Sequence, residues 1–218
     1  GGHVLQFTWT LLMLVGWVWL AEAIGARLPL TPRIATLFYG VGLVSVFATP
    51  VVYLAWDIVS MEHYRYLTWI MRFGGGLAIL PFALAVGIGL ATLRGMPEEG
   101  RPLRASLIAS MALFGAGGII GFLIEGSNVK IPAHYHGCIV GVTLALMGLA
   151  YHLLPRFGFA AVPPRAGALQ AWLYGGGQLA HVAGLAWSGG YGVQRKAVAA
   201  EQALRTPQEI VAMGLMGL

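Results

Sequence analysis

Charge is what this sequence has least of. Lys, Arg, Asp and Glu make up 10% of its 218 residues, against about 25% in an ordinary globular protein. A soluble surface of that size cannot be built from 13 basic and 8 acidic side chains. The shortage excludes a soluble domain, an intrinsically disordered chain, a charged coiled coil and a collagen-like fibre. Cysteine is nearly absent too. With Cys138 alone, no internal disulfide can form, which excludes a secreted disulfide scaffold and leaves the redox compartment unread. The net charge of +5 and sequence pI near 9.7 would fit nucleic acid if the basic residues shared one face. They lie instead in the gaps between apolar runs, which is membrane topology, so no nucleic-acid partner is expected.

Apolar residues are abundant: 58% of the chain is hydrophobic, glycine adds 32 residues, and the mean hydropathy is +0.76. A hydrocarbon core about 30 Å thick takes about 20 helical residues to cross. The sequence supplies runs of that length at roughly 2–24, 34–56, 67–93, 103–125, 132–154 and 169–190. A last run starts near Thr206-Pro207 and reaches only Leu218. The expected fold is therefore all-α, a polytopic transmembrane bundle of six complete spans and the start of a seventh. The chain reads as a single transmembrane domain over 1–218, incomplete at both ends, belonging to a larger bundle as a fragment or as one piece of a split subunit. Pro32, Pro132 and Pro207 stand near helix starts, while Pro50 and Pro81 fall inside spans. Lys and Arg divide almost evenly between the two sides. The loops after spans one, three and five are placed in the cytoplasm, since the other side holds more acids.

Two of the six histidines, His134 and His136, lie one turn inside the fifth span. Residues two apart on a helix are rotated by about 200°, so these imidazoles leave from opposite faces and cannot chelate one metal. They could serve two cofactors, one on each side of the helix, or be polar residues satisfied by neighbouring helices. Ionisable groups at this depth are expensive and usually functional, and neutral imidazole is a standard axial ligand of haem iron. Gly137 and Gly141 follow His134 on its face and would leave space for a macrocycle, although helix packing also uses small residues. For Gly74 to Gly76 and Gly175 to Gly177, packing is the preferred reading.

The segment Pro132-Ala133-His134-Tyr135-His136-Gly137, with Gly141 to Gly148 and Leu154-Pro155-Arg156-Phe157-Gly158 after it, resembles the tenth helix of the haem–copper oxidase catalytic subunit. That superfamily includes cytochrome oxidase subunit I and the nitric oxide reductase large subunit. His181-Val182-Ala183-Gly184-Leu185 and Gly190 to Lys196 resemble its eleventh helix and the basic pair that binds haem propionates. The likeness covers nearly the whole chain, as helices six to the start of twelve of a twelve-helix subunit. It implies that His134 is the proximal ligand of a high-spin, gas-binding haem and that His136 ligates a low-spin haem. Arg195 and Lys196 would hold propionates, and His181 would be structural or would act behind a ligand. His3 stands where the family has the first of three histidines for a second metal.

The other two positions of that triad are empty of donors. The corresponding stretch is Thr49-Pro50-Val51-Val52-Tyr53, with valines in place of a histidine pair, and Phe7 replaces the usual tyrosine or glutamate. One histidine does not hold copper or non-haem iron. His63, about ten residues on, is expected at the water interface with a local surface role. His152 lies sixteen residues after His136, about 24 Å along the helix, too far to share its site.

Two functional classes follow. In the first the chain belongs to a terminal reductase of O₂ or NO in the bacterial cytoplasmic membrane. Its donor would be a cytochrome c-type protein or a quinol, and other membrane subunits would surround it. In the second the second metal has been lost, leaving an electron-transfer or structural haem subunit without gas chemistry. In both, the second axial ligand of the low-spin haem must come from preceding helices or from a separate chain. A haem-free transporter is the third class, marked by the absence of a Soret band.

Overall fold

A computed structural model of the chain describes residues 2–191 and 206–216. Its elements are helical, with no β-strand among the described residues. Among the described residues, five helical stretches are long and apolar enough to cross a membrane: Val4–Ala23, Pro32–Ala55, Met61–Thr92, Glu98–Phe122 and Lys130–Phe157. They match the first five runs expected from the sequence to within six residues at each end, the third and fourth starting earliest, at Met61 and Glu98. The sixth expected run lies in a helix of 27 residues, Pro164–Gly190. That helix is long enough to cross, but Arg165, Gln170, Gln178, His181 and Ser188 make it more polar than the other five. The seventh run is a short helix of 10 residues, Pro207–Met216. The chain is an all-helical protein of long apolar helices, divided into two units, Gly1–Pro97 and Glu98–Leu218.

In the first unit, α1 (Gly2–Ala23) packs with α2 (Pro32–Val44) and α5 (Gly76–Thr92). Helix α1 closes on Gly25, whose φ of +86° suits glycine. The bonds Ala26 N to Ala21 O and Gly25 N to Glu22 O, both 2.9 Å, satisfy carbonyls at its end. Thr31 caps α2 by accepting from the Ile34 amide, with Pro32 in the first turn. The second span is not uniformly α-helical. Pro50 has no amide to offer the carbonyl four residues back, and the chain tightens to a 3₁₀ turn over Ser45–Ala48 before α3 (Thr49–Ala55). The third span likewise changes pitch, running from α4 (Met61–Trp69) through a π-helical turn, Ile70–Gly75, into α5. Phe7 covers Gly75, where an added Cβ would lie 3.1 Å from the ring, and Ser45 covers Gly74.

In the second unit, α6 (Arg101–Phe122), α7 (Lys130–Leu153) and α8 (Pro164–Gly190) pack on one another, and α9 (Pro207–Met216) packs on α8. Their shared core is Ala105, Ala109, Leu113, Val140, Leu144, Ala171 and Val182. A smaller cluster, Val129, Ala133 and Leu185, joins the start of α7 to the end of α8. The small residues bring the helices close: Gly175 of α8 meets Ala109 of α6, and the buried Ser110 hydroxyl of α6 donates to the Gly141 carbonyl of α7 at 2.6 Å.

Candidate functional site

The site is built on the first turns of α7. Backbone geometry sends His134 and His136 to different neighbours. His134 faces α6, where its Nδ1 lies 2.8 Å from the Gly117 carbonyl oxygen. A carbonyl can only accept, so Nδ1 carries the hydrogen and donates, and in the neutral ring Nε2 keeps a lone pair. This is how metal-bound imidazoles are commonly oriented, with one nitrogen fixed on a carbonyl so that the other can coordinate. Gly121 makes room for the ring: a Cβ there would stand 2.7 Å from Nδ1 and 2.8 Å from Cε1. The Cys138 thiol, one turn along α7, lies 3.7 Å from the same nitrogen.

His136 is exposed on the side of α8. Its ring centroid is 4.7 Å from that of His181, with the rings at 75°. No hydrogen bond to either imidazole joins them to other described residues, and among those residues the buried Nδ1 of His181 has no partner. The approach of these two histidines was legible only through helix depth. His136 lies six residues from the start of α7 and His181 nine from the end of α8, about 9 and 14 Å from ends that meet. That the ends do meet is shown by Gly189, which packs against Lys130.

Gly137 and Gly141 correct the sequence reading. They give no open surface beside His134, because α6 fills it. A Cβ at Gly137 would lie 2.6 Å from the Gly117 Cα, and one at Gly141 would lie 2.7 Å from the Phe114 Cβ. The glycines serve close helix approach. Of the triplets read as packing, Gly74, Gly75 and Gly175 do meet neighbours, whereas Gly76, Gly176 and Gly177 face open space.

His63 is also corrected. It is not a surface residue but a buried member of the first turn of α4, 5% exposed, with its ring edge-on to Tyr53 at 4.6 Å. Its Nδ1 has no hydrogen-bond partner among the described residues. Ser60 caps α4 by accepting from the His63 amide at 3.1 Å, which draws the residue into the helix. His3 lies in the first turn of α1, and its side chain is outside what the structure describes. Arg195 and Lys196 lie outside the described residues. Val51 points outward at 61% exposure while Val52 is buried. Among the described residues, no three His, Cys, Asp or Glu side chains gather into a group able to hold a metal ion.

No family model matches the chain. It is similar to an uncharacterized protein of Rickettsia prowazekii (strain Madrid E), 27% identical over 266 aligned positions that cover all of this chain and 49% of that protein. It is also similar to an uncharacterized protein of Aquifex aeolicus (strain VF5), 28% identical over 91 residues, 38% of this chain and 24% of that protein. The chain thus spans about half the length of the first of these relatives and a smaller share of the second.

Proposed function

We propose that this chain is part of a respiratory membrane haem protein of the haem–copper oxidase type, in a bacterial cytoplasmic membrane. His134 and His136 would be axial ligands of two haems, high-spin and low-spin respectively. The observation that carries the reading is the 2.8 Å contact between His134 Nδ1 and the Gly117 carbonyl, which leaves Nε2 free to coordinate. Bound haem would supply one-electron transfer and, at an open iron position, gas binding. The protein's part is to hold the two imidazoles apart on one helix and fix the His134 tautomer. The donor set fits haem at one imidazole per iron, but Gly137 and Gly141 do not supply a surface for it. Arg195 and Lys196 remain the propionate partners of this proposal.

A second metal does not fit. Val51 and Val52 have no donor atoms, Phe7 is packed over Gly75, and His63 is turned against Tyr53. These side chains favour a second reading, a haem-bearing electron-transfer or structural subunit without gas chemistry. The protein purified from membranes distinguishes the readings. A Soret band and haem iron are expected in both. A reduced-plus-CO difference signal supports an open iron at His134, and its absence supports the electron-transfer subunit. Copper or non-haem iron in stoichiometric amount would contradict the missing second metal, and a protein without Soret absorbance would refute haem binding altogether.

A further inference from the structure

An imidazole bound to a metal through one nitrogen can still rotate about that bond, and a partner on the ring must set its plane. His134 has such a partner in the Gly117 carbonyl. His136 has no hydrogen bond on its ring among the described residues, and the group against it is the His181 ring of α8, 4.7 Å away and at 75°.

His181 is itself held in place. Val182 beside it is 1% exposed in the three-helix core, and Leu185, one turn on, packs with Val129 and Ala133 at the start of α7. The anchor is therefore α8 backbone packed on both other helices, which fixes the point from which the His181 ring reaches His136. Its Nδ1 is buried with no hydrogen-bond partner among the described residues, which is costly for a group that merely fills space. One turn before it, a Cβ on Gly177 would meet nothing within 4 Å. The α8 surface beside the pair is open, in contrast to the filled surface at Gly137 and Gly141.

We infer that His181 is a positioning residue for His136, fixing the plane of that imidazole by an edge-to-face contact from α8. The inference rests on the proposal that His136 ligates a low-spin haem. It assigns the two histidines of α7 to separate supports, His134 to an α6 carbonyl and His136 to an α8 ring.

The test uses the protein in its own membranes and reads the electron paramagnetic resonance of the oxidised low-spin haem, whose g values report the planes of the axial ligands. His181→Ala is expected to shift those g values and to weaken haem retention at that site by about 10- to 100-fold. His181→Phe, which keeps a flat ring in the same place, is expected to restore the wild-type g values. The haem at His134 should be retained in both variants. If wild-type protein holds a low-spin haem that His136→Ala removes, yet His181→Ala leaves its g values unchanged, the inference fails and the haem reading stands. Wild-type protein with no haem overturns both. Should His181→Ala lose both haems through misfolding, His181→Leu is compared with His181→Phe, and equal g values in those two overturn the inference.

Discussion

A single methyl group at Gly121 would separate the His134 support from everything else in the second unit. In Gly121→Ala the new Cβ would stand 2.7 Å from His134 Nδ1 and 2.8 Å from Cε1. Ordinary van der Waals contact begins at 3.4 Å, so the ring must withdraw by about 0.7 Å, against a closely packed helix pair. Nδ1 is now 2.8 Å from the Gly117 oxygen. A retreat of that size takes the pair to about 3.5 Å, where little of the hydrogen bond remains. Loss of such a support behind a metal-bound histidine costs about 10- to 100-fold in affinity. The strain on the fold is smaller, about 1–3 kcal/mol for an overpacked methyl. On the proposed haem ligation, the variant is expected to fold and keep the low-spin haem, while the haem at His134 is depleted and any CO difference signal falls in proportion. Haem content by pyridine haemochrome, with reduced and reduced-plus-CO spectra, measures this. Wild-type haem content and spectra in Gly121→Ala would refute the claim that the Gly117 contact supports a ligand.

Three further substitutions probe the packing. Gly137→Ala puts a Cβ 2.6 Å from the Gly117 Cα and 3.0 Å from the Leu113 carbonyl. Backbone cannot step aside, so α6 and α7 must part at a cost of about 1–3 kcal/mol, read as a lower midpoint of detergent unfolding. Ser110→Ala removes the buried 2.6 Å bond to the Gly141 carbonyl and is expected to cost about 0.5–1.5 kcal/mol in the same assay, without change in any haem spectrum. His63→Leu replaces a buried imidazole whose Nδ1 has no partner among the described residues. Stability is expected to be unchanged or raised by up to about 2 kcal/mol, because leucine removes the unpaired polar atom. A clear fall in the thermal midpoint would show that His63 does form a bond the native protein depends on.

The spans were legible because each boundary is chemically abrupt. Apolar runs stop at clusters such as Arg27 to Arg33 and Arg94 to Arg104, and the structure ends its long helices at the same places. The polarity of α8 blurs the sixth span, since Gln170, Gln178 and His181 weaken an apolar signal that length alone would carry. The direction of His134 and His136 followed from helical rotation. What covers each face did not, because rotation names a direction and no occupant. Gly137 and Gly141 show the consequence: the spacing that would admit a macrocycle is the same one that admits a helix, and only the partner Gly117 decides. His63 was misjudged because Glu62 and Arg65 flank it and read as a loop. The capping signal of Ser60, three residues earlier, was present in the sequence and pointed the other way.

The glycines and His134 form one device. Within a helix, the carbonyl of residue 117 already accepts from the amide of residue 121, and only its second lone pair is free. A side chain at position 121 would cover that lone pair, as the Cβ distances to His134 show. Glycine there exposes the carbonyl, and glycine at 117 and 137 lets α7 come near enough for the imidazole to reach it. The small-residue spacing and the orientation of the histidine thus have one cause, the close approach of α6 and α7. His136, turned to the other side, gains nothing from that approach and meets α8 instead. It follows that substitutions along α6 should disturb His134 first and substitutions along α8 should disturb His136 first. A variant of α6 that altered only the low-spin signal would show that the two supports are not separate.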